Sequence, residues 1–571
     1  MEVTWVEDRS LVCPCPLCGS HGPHPAVVHY RAPYRDNPPR NLVRCAGCRS
    51  LFLDDLSSPP HIEDSPAVRD HINFYVELSA GIDVMADLLY KVRTRGIRNY
   101  LEIGCGFGFV LDFARHVFGW RVAGVDPGII ARTGEKDLGL EIAPDYVTPG
   151  YDFGGRRFDL IMCSEVVEHV PAPGQFLETL KRGLTQEGTL LLTTPNADRV
   201  RSDTSPSLLL PILQPGFHLV LFTRESIEHA LRKAGFAHVE VWEEGATLTA
   251  VSGMRPVAVN RAARLDARSY RSYLERGVKR HRASPLAVGM AYRLLKHATN
   301  TGDFRAAEDA FACARSVIME VYRIDIGRPD GLGLDALAPL QFLDVGAHMP
   351  FCLGCVLYHR AVALLIGAHY ADAARFFRAA SNALLAVRRA LHTMAFDDGD
   401  SEVASQLSRV HLPMALAHVD PGLALGALAE LSAPPPHGVP APLWILPRDL
   451  VCRARQETFT RLVSVGAYAA AETIVDAIRD DLGVGTHAFN DARMLGTQPG
   501  YTLSALYSLG MLTRNHMGDR GAAASLFAAV RAACRARLAD VPRDVHAADL
   551  GRRALANETE CRVGAMSTRL R

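Results

Sequence analysis

Two patterns of apolar residues divide the chain. In roughly the first 250 residues, short apolar runs alternate with segments whose apolar positions recur every three or four residues. The clearest runs span residues 99–103, 121–125, 158–163 and 189–194. Such runs predict buried strands, and the three- or four-residue spacing between them predicts amphipathic helices. Their alternation predicts an α/β fold with a mostly parallel sheet that binds ligands at the carboxyl ends of its strands.

The pattern changes near Asn260, where alanine-rich helical segments replace the strand-like runs. Four places share a glycine followed by a helix with small and large residues at fixed offsets, beginning at Gly302, Gly367, Gly466 and Gly518. We therefore predict an all-α second half, interrupted by the prolines at positions 434–436.

Length and charge narrow the class of protein. A chain of 571 residues is too long for one core and predicts several domains. Its 62 basic and 62 acidic residues balance, which argues against a protein built mainly to hold nucleic acid. No apolar run approaches the roughly 20 residues that a membrane helix needs, and the start lacks the pattern of a signal peptide. We expect a cytoplasmic protein whose 13 cysteines are reduced or bind metal.

Four cysteines near the start have the spacing of a zinc site. Cys15 and Cys18 form one C-x2-C pair, and Cys45 and Cys48 form a second pair that 26 residues separate from the first. Turn-forming Pro and Gly accompany the pairs, which suits two knuckles that hold one tetrahedral Zn²⁺ through four thiolates. Four protein ligands leave no open position, so this zinc is predicted to be structural. The nearby Cys13 is an alternative ligand that we expect to be a bystander, and chance spacing of reduced thiols is the other interpretation.

A glycine turn follows the strand at residues 99–103. Gly104, Gly106 and Gly108 occupy alternate positions, and an amphipathic helix starts directly after them. A turn of this kind allows close approach of a ligand, and the N–H groups of the new helix favour a polar or anionic group. The next strand ends in Asp126, 18 residues after Gly108. A carboxylate there can accept hydrogen bonds from ribose hydroxyls, whereas a solvated strand end is the alternative.

The sequence Leu101–Gly108, with Glu102 ahead of the glycines, resembles motif I of class I S-adenosylmethionine (SAM)-dependent methyltransferases. The stretches FDLIMCSEVVEHV, GTLLLTTPN and FHLVLFTRESIEHALRKAGF follow in order and resemble ubiquinone-type and sugar-type members of that class. The resemblance covers about residues 10–250 and implies SAM as cofactor. The cofactor residues it implies are Glu102, Gly104, Cys105, Gly106, Gly108, Asp126, Asp145, Tyr146, Ser164 and Glu165. Phe74, Tyr75 and neighbouring apolar residues before the motif then either cover the cofactor or pack in the core.

Two histidines are candidates for the chemical step. His169 follows the fourth core strand, where the resemblance places groups near the transferring methyl, and His218 is expected to face the same cleft from the loop after the fifth strand. An imidazole suits a general base near neutral pH, so both are candidate catalytic residues, with helix capping as the alternative for His169. Glu165 and Glu168 resemble acidic residues that bind a divalent cation in some ubiquinone-type relatives. We prefer an ordinary solvated pair of glutamates.

Together these patterns predict four segments. They are a zinc ribbon at 1–56, a helical connector at 57–94, a SAM-dependent methyltransferase domain at 95–258 and an α-helical domain similar to tetratricopeptide repeats at 259–571. The ribbon-plus-methyltransferase order resembles sugar C-methyltransferases, which implies a sugar, glycan or small-molecule acceptor methylated on oxygen or carbon. Stacked helix pairs can hold a peptide, a partner protein or a second copy of the chain. The alternatives are a binding protein with a degenerate methyltransferase fold and a nucleic-acid methyltransferase.

Overall fold

The computed structural model describes residues 2–6, 8–31, 39–57, 68–204, 206–214, 216–334, 342–394, 398–484 and 491–569. The chain divides into two compact units, Met1–Met290 and Ala291–Arg571. The predicted connector at 57–94 falls partly outside the described residues, because positions 58–67 are not among them.

The strands all lie in the first unit, as far as the structure describes the chain. They are β1 (Glu2–Trp5), β2 (Ser10–Leu11), β3 (His24–Arg31), β4 (Arg40–Arg44), β5 (Leu51–Leu53), β6 (Asn99–Ile103), β7 (Arg121–Val125), β8 (Ile142–Ala143), β9 (Phe158–Ser164), β10 (Leu184–Pro195), β11 (Val220–Leu221), β12 (His238–Glu244) and β13 (Thr247–Gly253).

The larger sheet has seven strands in the order β12-β13-β10-β9-β6-β7-β8. Pairing is parallel from β10 to β8 and antiparallel within β10, β13 and β12, so the sheet is mixed. Leu160–Cys163 and Leu190–Leu192 are fully buried, which explains why the central strands read as continuous apolar runs. This arrangement confirms the predicted α/β core.

Helices of the first unit alternate with these strands. They are α1 (Val68–Phe74), α2 (Ile82–Tyr90), α3 (Phe109–Val117), α4 (Ile129–Leu138), α5 (Pro173–Gly183), α6 (Pro206–Leu213), α7 (Arg224–Lys233) and α8 (Ala267–Arg280). A π-helical turn, Tyr75–Ser79, joins α1 to α2.

The smaller sheet contains the N-terminal strands and one later strand, in the order β1-β3-β4-β5-β11, with β2 paired to β3. The C-x2-C knuckles are turns of this sheet, since Cys45 directly follows β4 and β5 starts three residues after Cys48. Because β11 lies between α6 and α7, the N-terminal sheet extends into the α/β core.

The helix α8 belongs with the first unit. Phe113 of α3 lies edge-on to Tyr273 of α8, with ring centroids 5.2 Å apart. Asp112 is fully buried and lies 2.7 Å from the Arg115 guanidinium and 3.2 Å from that of Arg280. The first unit therefore includes α8 and extends to Met290.

Described elements of the remaining chain are helical. They are α9 (Pro285–Asn300), α10 (Phe304–Tyr322), α11 (Phe342–His348), α12 (Leu353–Ile366), α13 (Tyr370–Thr393), α14 (Gly399–Leu416), α15 (Pro421–Leu431), α16 (Ala441–Trp444), α17 (Arg448–Ser464), α18 (Tyr468–Glu472), α19 (Val475–Leu482), α20 (Ala492–Gly496), α21 (Gly500–Asn515), α22 (Arg520–Asp540) and α23 (Val545–Arg569). Helices begin shortly after each of the four glycines singled out above, at Phe304, Tyr370, Tyr468 and Arg520. A large all-helical C-terminal region is thus present.

Among the described helices, no single one has both the length and the apolar character that crossing a membrane requires. The bent pair Phe342–His348 and Leu353–Ile366 meets that test by length and composition only.

Candidate functional site

The glycine turn forms a tight loop at the carboxyl end of β6. Gly104, Gly106 and Gly108 have φ angles of 70°, 52° and 85°, in the left-handed region that side chains rarely adopt. A Cβ at Gly104 would lie 2.4 Å from Cγ2 of Val166, and one at Gly106 would lie 2.9 Å from the Tyr75 hydroxyl. Two other segments therefore press against this loop, one from the end of β9 and one from the π-helical turn.

Asp126 connects the glycine loop to the start of α4. One carboxylate oxygen accepts the Gly106 N–H at 2.8 Å, and the other accepts the Gly128 N–H at 2.8 Å. The residue is half-buried and follows β7 directly, as predicted. Each carboxylate oxygen has more than one acceptor position, so this arrangement leaves capacity for ribose hydroxyls.

Tyr75 covers the loop from the connector side. Its ring stacks on that of Phe109, with centroids 6.4 Å apart and planes 23° apart. Met85 of α2 reaches the same region, where Ser164 Oγ lies 3.3 Å from its Sδ. Single π-helical turns occur frequently at functional sites, and apolar spacing alone did not distinguish this turn from a continuous helix.

Two of the predicted cofactor residues are buried beneath the loop. Burial, with a smaller contribution from the charge of Asp126, raises the pKa of Glu102 to about 8. Burial also raises the pKa of the Cys105 thiol. Cys105 contributes through its backbone, since its carbonyl accepts the Gly108 N–H at 2.9 Å.

Asp145 and Tyr146 lie at the rim. Both are exposed, and Asp145 accepts the Tyr151 hydroxyl at 3.4 Å. Partial burial and, to a smaller extent, the charge of Asp126 raise the pKa of Tyr146.

The end of β9 contributes the Ser164 hydroxyl and the Glu165 carboxylate, and the backbone of Glu165 is strained. Ser164 Oγ and Thr193 Oγ1 are 2.6 Å apart, and the Thr193 hydroxyl donates to Glu165 Oε1 at 3.0 Å. Glu165 has φ +54°, an uncommon backbone conformation for a side-chain-bearing residue. Burial raises its pKa.

Glu168, His169 and His218 converge beside this strand end. Glu168 Oε1 lies 4.0 Å from Nε2 of His169 and 3.9 Å from Nε2 of His218, and the two imidazole centroids are 4.8 Å apart. Burial and the charge of Glu165 raise the pKa of Glu168 well above its usual range, and the Thr194 hydroxyl donates to its Oε2 at 2.9 Å. The expectation of a solvated pair of glutamates was wrong, because Glu168 is fully buried and Glu165 is half-buried with its carboxylate hydrogen-bonded to Thr193.

Hydrogen bonds fix which nitrogen of each histidine carries the proton. His169 Nδ1 lies 3.0 Å from the Phe217 carbonyl, and His218 Nδ1 lies 2.6 Å from the Ile212 carbonyl. A carbonyl only accepts, so both neutral rings donate from Nδ1 and leave Nε2 able to take a proton. Burial, together with the charge of His169, lowers the pKa of His218 to about 3, so His218 stays neutral at physiological pH. His169 is the more exposed of the pair.

The same three side chains could also hold a divalent cation. One ligand atom from each of Glu168, His169 and His218 lies within 4.8 Å of the others. Two imidazoles and a carboxylate are a donor set that transition metals accept.

The four predicted zinc ligands come together at the tip of the smaller sheet. Cys15 Sγ lies 3.8 Å from Cys48 Sγ, and Cys18 Sγ lies 3.5 Å from Cys45 Sγ. Zn–S bonds of about 2.3 Å in a tetrahedron put the sulfurs about 3.8 Å apart, so this cluster fits a Zn²⁺ ion. Cys13 is not part of the cluster.

Comparison with known proteins agrees with the α/β core. Residues 63–241 match the family model of a methyltransferase domain. The ubiquinone biosynthesis O-methyltransferase of Actinobacillus pleuropneumoniae serotype 7 (strain AP76) is 32% identical over 109 residues, which are 17% of this chain and 46% of that protein. The enzyme of the same name from Caulobacter sp. (strain K31) is 36% identical over 103 residues, covering 17% and 40%. The chain thus spans less than half the length of these relatives.

A solved structure with a similar segment is an O-methyltransferase family protein from Burkholderia thailandensis. It is 18% identical, has a TM-score of 0.30, and the match covers 35% of this chain and 65% of that one. The residues that match the family model, 63–241, contain the glycine loop, Asp126 and the Glu168–His169–His218 cluster.

Proposed function

We propose that the protein is a SAM-dependent methyltransferase that acts on oxygen or carbon of a small-molecule acceptor, with sugars and glycans as the leading class. The observation that carries this proposal is the packing of the glycine loop against the end of β9. Val166 contacts Gly104, and the Glu168–His169–His218 cluster begins two residues further on. A cofactor on the loop would thus lie beside a proton acceptor.

SAM would lie across the carboxyl ends of β6 and β7. The glycine loop allows its close approach, Asp126 accepts from the ribose hydroxyls, and Tyr146 flanks the adenine side. Glu102 and Cys105 shape the loop from below, whereas Ser164 and Glu165 line the end nearest the sulfonium. Tyr75 then covers the cofactor, which excludes water from the methyl group.

The reaction is a displacement at the methyl carbon. His169 Nε2 would take the proton of an acceptor hydroxyl. The hydroxyl oxygen would form a bond to the methyl carbon that SAM supplies as the carbon–sulfur bond breaks, which leaves the sulfur as an uncharged thioether. Alignment of nucleophile and methyl group supplies much of the acceleration, and the base removes the proton during attack. His218 and Glu168, both neutral, lie beside His169 and hold its imidazole in the cleft.

Two other functions compete with this proposal. A binding protein with a decayed methyltransferase fold would not need to keep the three loop glycines and Asp126, which are all present. A nucleic-acid methyltransferase would be expected to carry excess basic charge, whereas this chain has a net charge of zero.

The remaining segments have proposed roles of their own. The Cys15–Cys18 and Cys45–Cys48 pairs bind a structural Zn²⁺ ion, and the helical region resembles tetratricopeptide repeats and offers a groove for a partner protein or for self-association. We place the enzyme in the cytoplasm.

Calorimetric titration with SAM and with S-adenosylhomocysteine tests the proposed function. We expect micromolar binding that Asp126→Ala abolishes. Asp137→Ala, which removes an exposed carboxylate of α4, is the matched control and should bind like the wild type. Absence of binding by the folded wild-type protein would refute the enzyme hypothesis. Binding would justify a screen of sugar, glycan and phenolic acceptors, with His169→Gln as the inactive reference.

A further inference from the structure

The smaller sheet is bonded directly to the loop that carries His218. β5 and β11 pair antiparallel, and the Leu53 N–H donates to the Leu219 carbonyl at 2.9 Å. Every side chain of β5 and β11 is at most 1% exposed. The residue that follows His218 is therefore held by the sheet that contains the four cysteines.

The same stretch is bonded on its other side to the Glu168–His169 turn. The Leu219 N–H donates to the Glu168 carbonyl at 2.8 Å, and the Phe217 carbonyl accepts from His169 Nδ1 at 3.0 Å. Residues 217–219 thus lie between the cysteine-containing sheet and the candidate base. A shift of β5 would be transmitted to both histidines through consecutive hydrogen bonds.

His24 connects the two cysteine knuckles to β5. It is fully buried, its Nε2 lies 3.1 Å from the Ser20 carbonyl, and its Nδ1 accepts the Ala46 N–H at 3.2 Å. Its ring meets Phe52 of β5 edge-on, with centroids 5.5 Å apart. Ser20 lies just past the first knuckle and Ala46 lies within the second, so one imidazole joins both to the strand beside β11.

We propose that the cysteine-containing sheet is a positioning element for the histidine pair, with His24 joining its two knuckles to β5. Metal bound to the four thiolates fixes β5, and β5 fixes residues 217–219, because a sheet this small depends on its metal for much of its folding free energy. The glycine loop packs on Val166, but its hydrogen bonds, from the Gly104 N–H to the Val125 carbonyl and from the Gly106 N–H to Asp126, do not involve residues 217–219. Loss of the metal should therefore disorder the acceptor side of the site and spare the cofactor side.

Hydrogen exchange of the full chain tests this coupling without any acceptor. Cys48→Ser removes one metal ligand, and Cys13→Ser is the matched control because Cys13 lies outside the cluster. We expect Cys48→Ser to lose zinc and to exchange amides 217–222 at least tenfold faster, while amides 101–108 keep their wild-type rates. Cys13→Ser should retain zinc and wild-type exchange throughout. Unchanged protection of 217–222 in zinc-free Cys48→Ser would overturn the proposal, as would equal loss of protection at 101–108.

A zinc-loaded variant supplies the second test. Leu53→Pro removes the one N–H that donates to Leu219, and we expect faster exchange of the Leu219 amide with zinc content unchanged. Wild-type exchange at Leu219 in this variant would also overturn the coupling.

The role of the histidines in this inference rests on the proposed function, and SAM titration separates the two. A wild-type protein that does not bind SAM would refute the methyltransferase and leave the exchange data to decide the coupling. If the SAM affinity of Cys48→Ser falls tenfold and that of Cys13→Ser does not, the inference that loss of the metal spares the cofactor side is refuted.

Discussion

Gly104 and Glu165 both have left-handed backbone at the point where the glycine loop meets the end of β9. Glycine adopts φ +70° without steric cost, whereas the left-handed region costs Glu165 about 1 kcal/mol. Thr193 holds Glu165 there, since its carbonyl accepts the Glu165 N–H at 3.0 Å and its hydroxyl donates to the carboxylate. Strain of this kind is characteristic of ligand sites.

Replacement of Gly104 and of Gly119 separates the cost of the left-handed backbone from the cost of the contact with Val166. Gly104→Ala adds a Cβ 2.4 Å from Val166 Cγ2, whereas Gly119→Ala, at φ +71°, adds one with no atom within 4 Å. We expect Gly119→Ala to lower the free energy of unfolding by about 1 kcal/mol, and Gly104→Ala to lower it by about 1–3 kcal/mol more because of the overlap. Only Gly104→Ala should weaken SAM binding, by tenfold or more. Urea unfolding and calorimetry measure both effects.

The double variant Gly104→Ala/Val166→Ala makes the cause explicit. Removal of the Val166 methyl groups should restore part of the lost stability and affinity. Equal effects of Gly104→Ala and Gly119→Ala on stability and SAM affinity would show that the contact with the end of β9 has no role.

The buried Glu102 predicts a pH dependence of stability. Its pKa in the folded protein is about 8, against an ordinary value of 4.5, so between these values the unfolded chain has lost a proton that the folded chain keeps. Stability must therefore fall as the pH rises from 4.5 to 8. Glu102→Gln removes this dependence and should raise the free energy of unfolding at pH 9 by on the order of 3 kcal/mol, with little change at pH 4. Urea unfolding of the first unit at both pH values measures it, and an equal gain at each would contradict the assignment.

At the scale of elements, α8 packs on α3 of the α/β core through aromatic rings and through one buried carboxylate. Asp112 on α3 is fully buried, with Arg115, His116 and Arg280 within 3.3 Å. Removal of a buried charge strongly destabilises a protein when the cationic partners of that charge remain in place. The arginines are about one-third exposed, which moderates the effect.

Asp112→Asn should lower the free energy of unfolding of the first unit by about 2 kcal/mol, because it keeps the shape and removes the charge. Asp137→Asn, at an exposed position of α4, should change it by less than about 0.5 kcal/mol. Urea midpoints of the two variants measure the difference. If Asp112→Asn lowers the free energy of unfolding no more than the control does, Arg115 and Arg280 need no buried charged partner.

Elements with local signals were predictable from the sequence, and those formed by distant pairing were not. The glycine turn and Asp126 lie within one strand–helix–strand unit, so spacing alone located them. β11 has only two residues, and its partner β5 lies far earlier in the sequence. Nothing local in an apolar dipeptide specifies that partner. The burial of Glu168 was missed for a related reason, since it depends on Thr194 and His218, which distant segments supply. Charged residues are rarely buried without such partners.

At the scale of the whole molecule, the chain forms two compact units, and the residues proposed to hold the cofactor all lie in the first. A ligand that binds only the folded state stabilises the unit that holds it by RT ln(1 + [L]/Kd), about 2.7 kcal/mol at 100 times Kd. Each unit has its own buried core, such as Leu190–Leu192 in the first and Phe377 with Leu384 in the second. The stabilisation is therefore expected to stay in the first unit.

Hydrogen exchange at 100 times the Kd of SAM should slow the most protected amides of β10 about 100-fold. Those of α13 should exchange at an unchanged rate, because their unit gains no ligand contact. Asp126→Ala under the same conditions is the control and should show no slowing in either unit. Slowing of both units by the same factor would instead mean that they unfold as one cooperative body, so that the helical region contributes to the stability of the unit that holds the glycine loop.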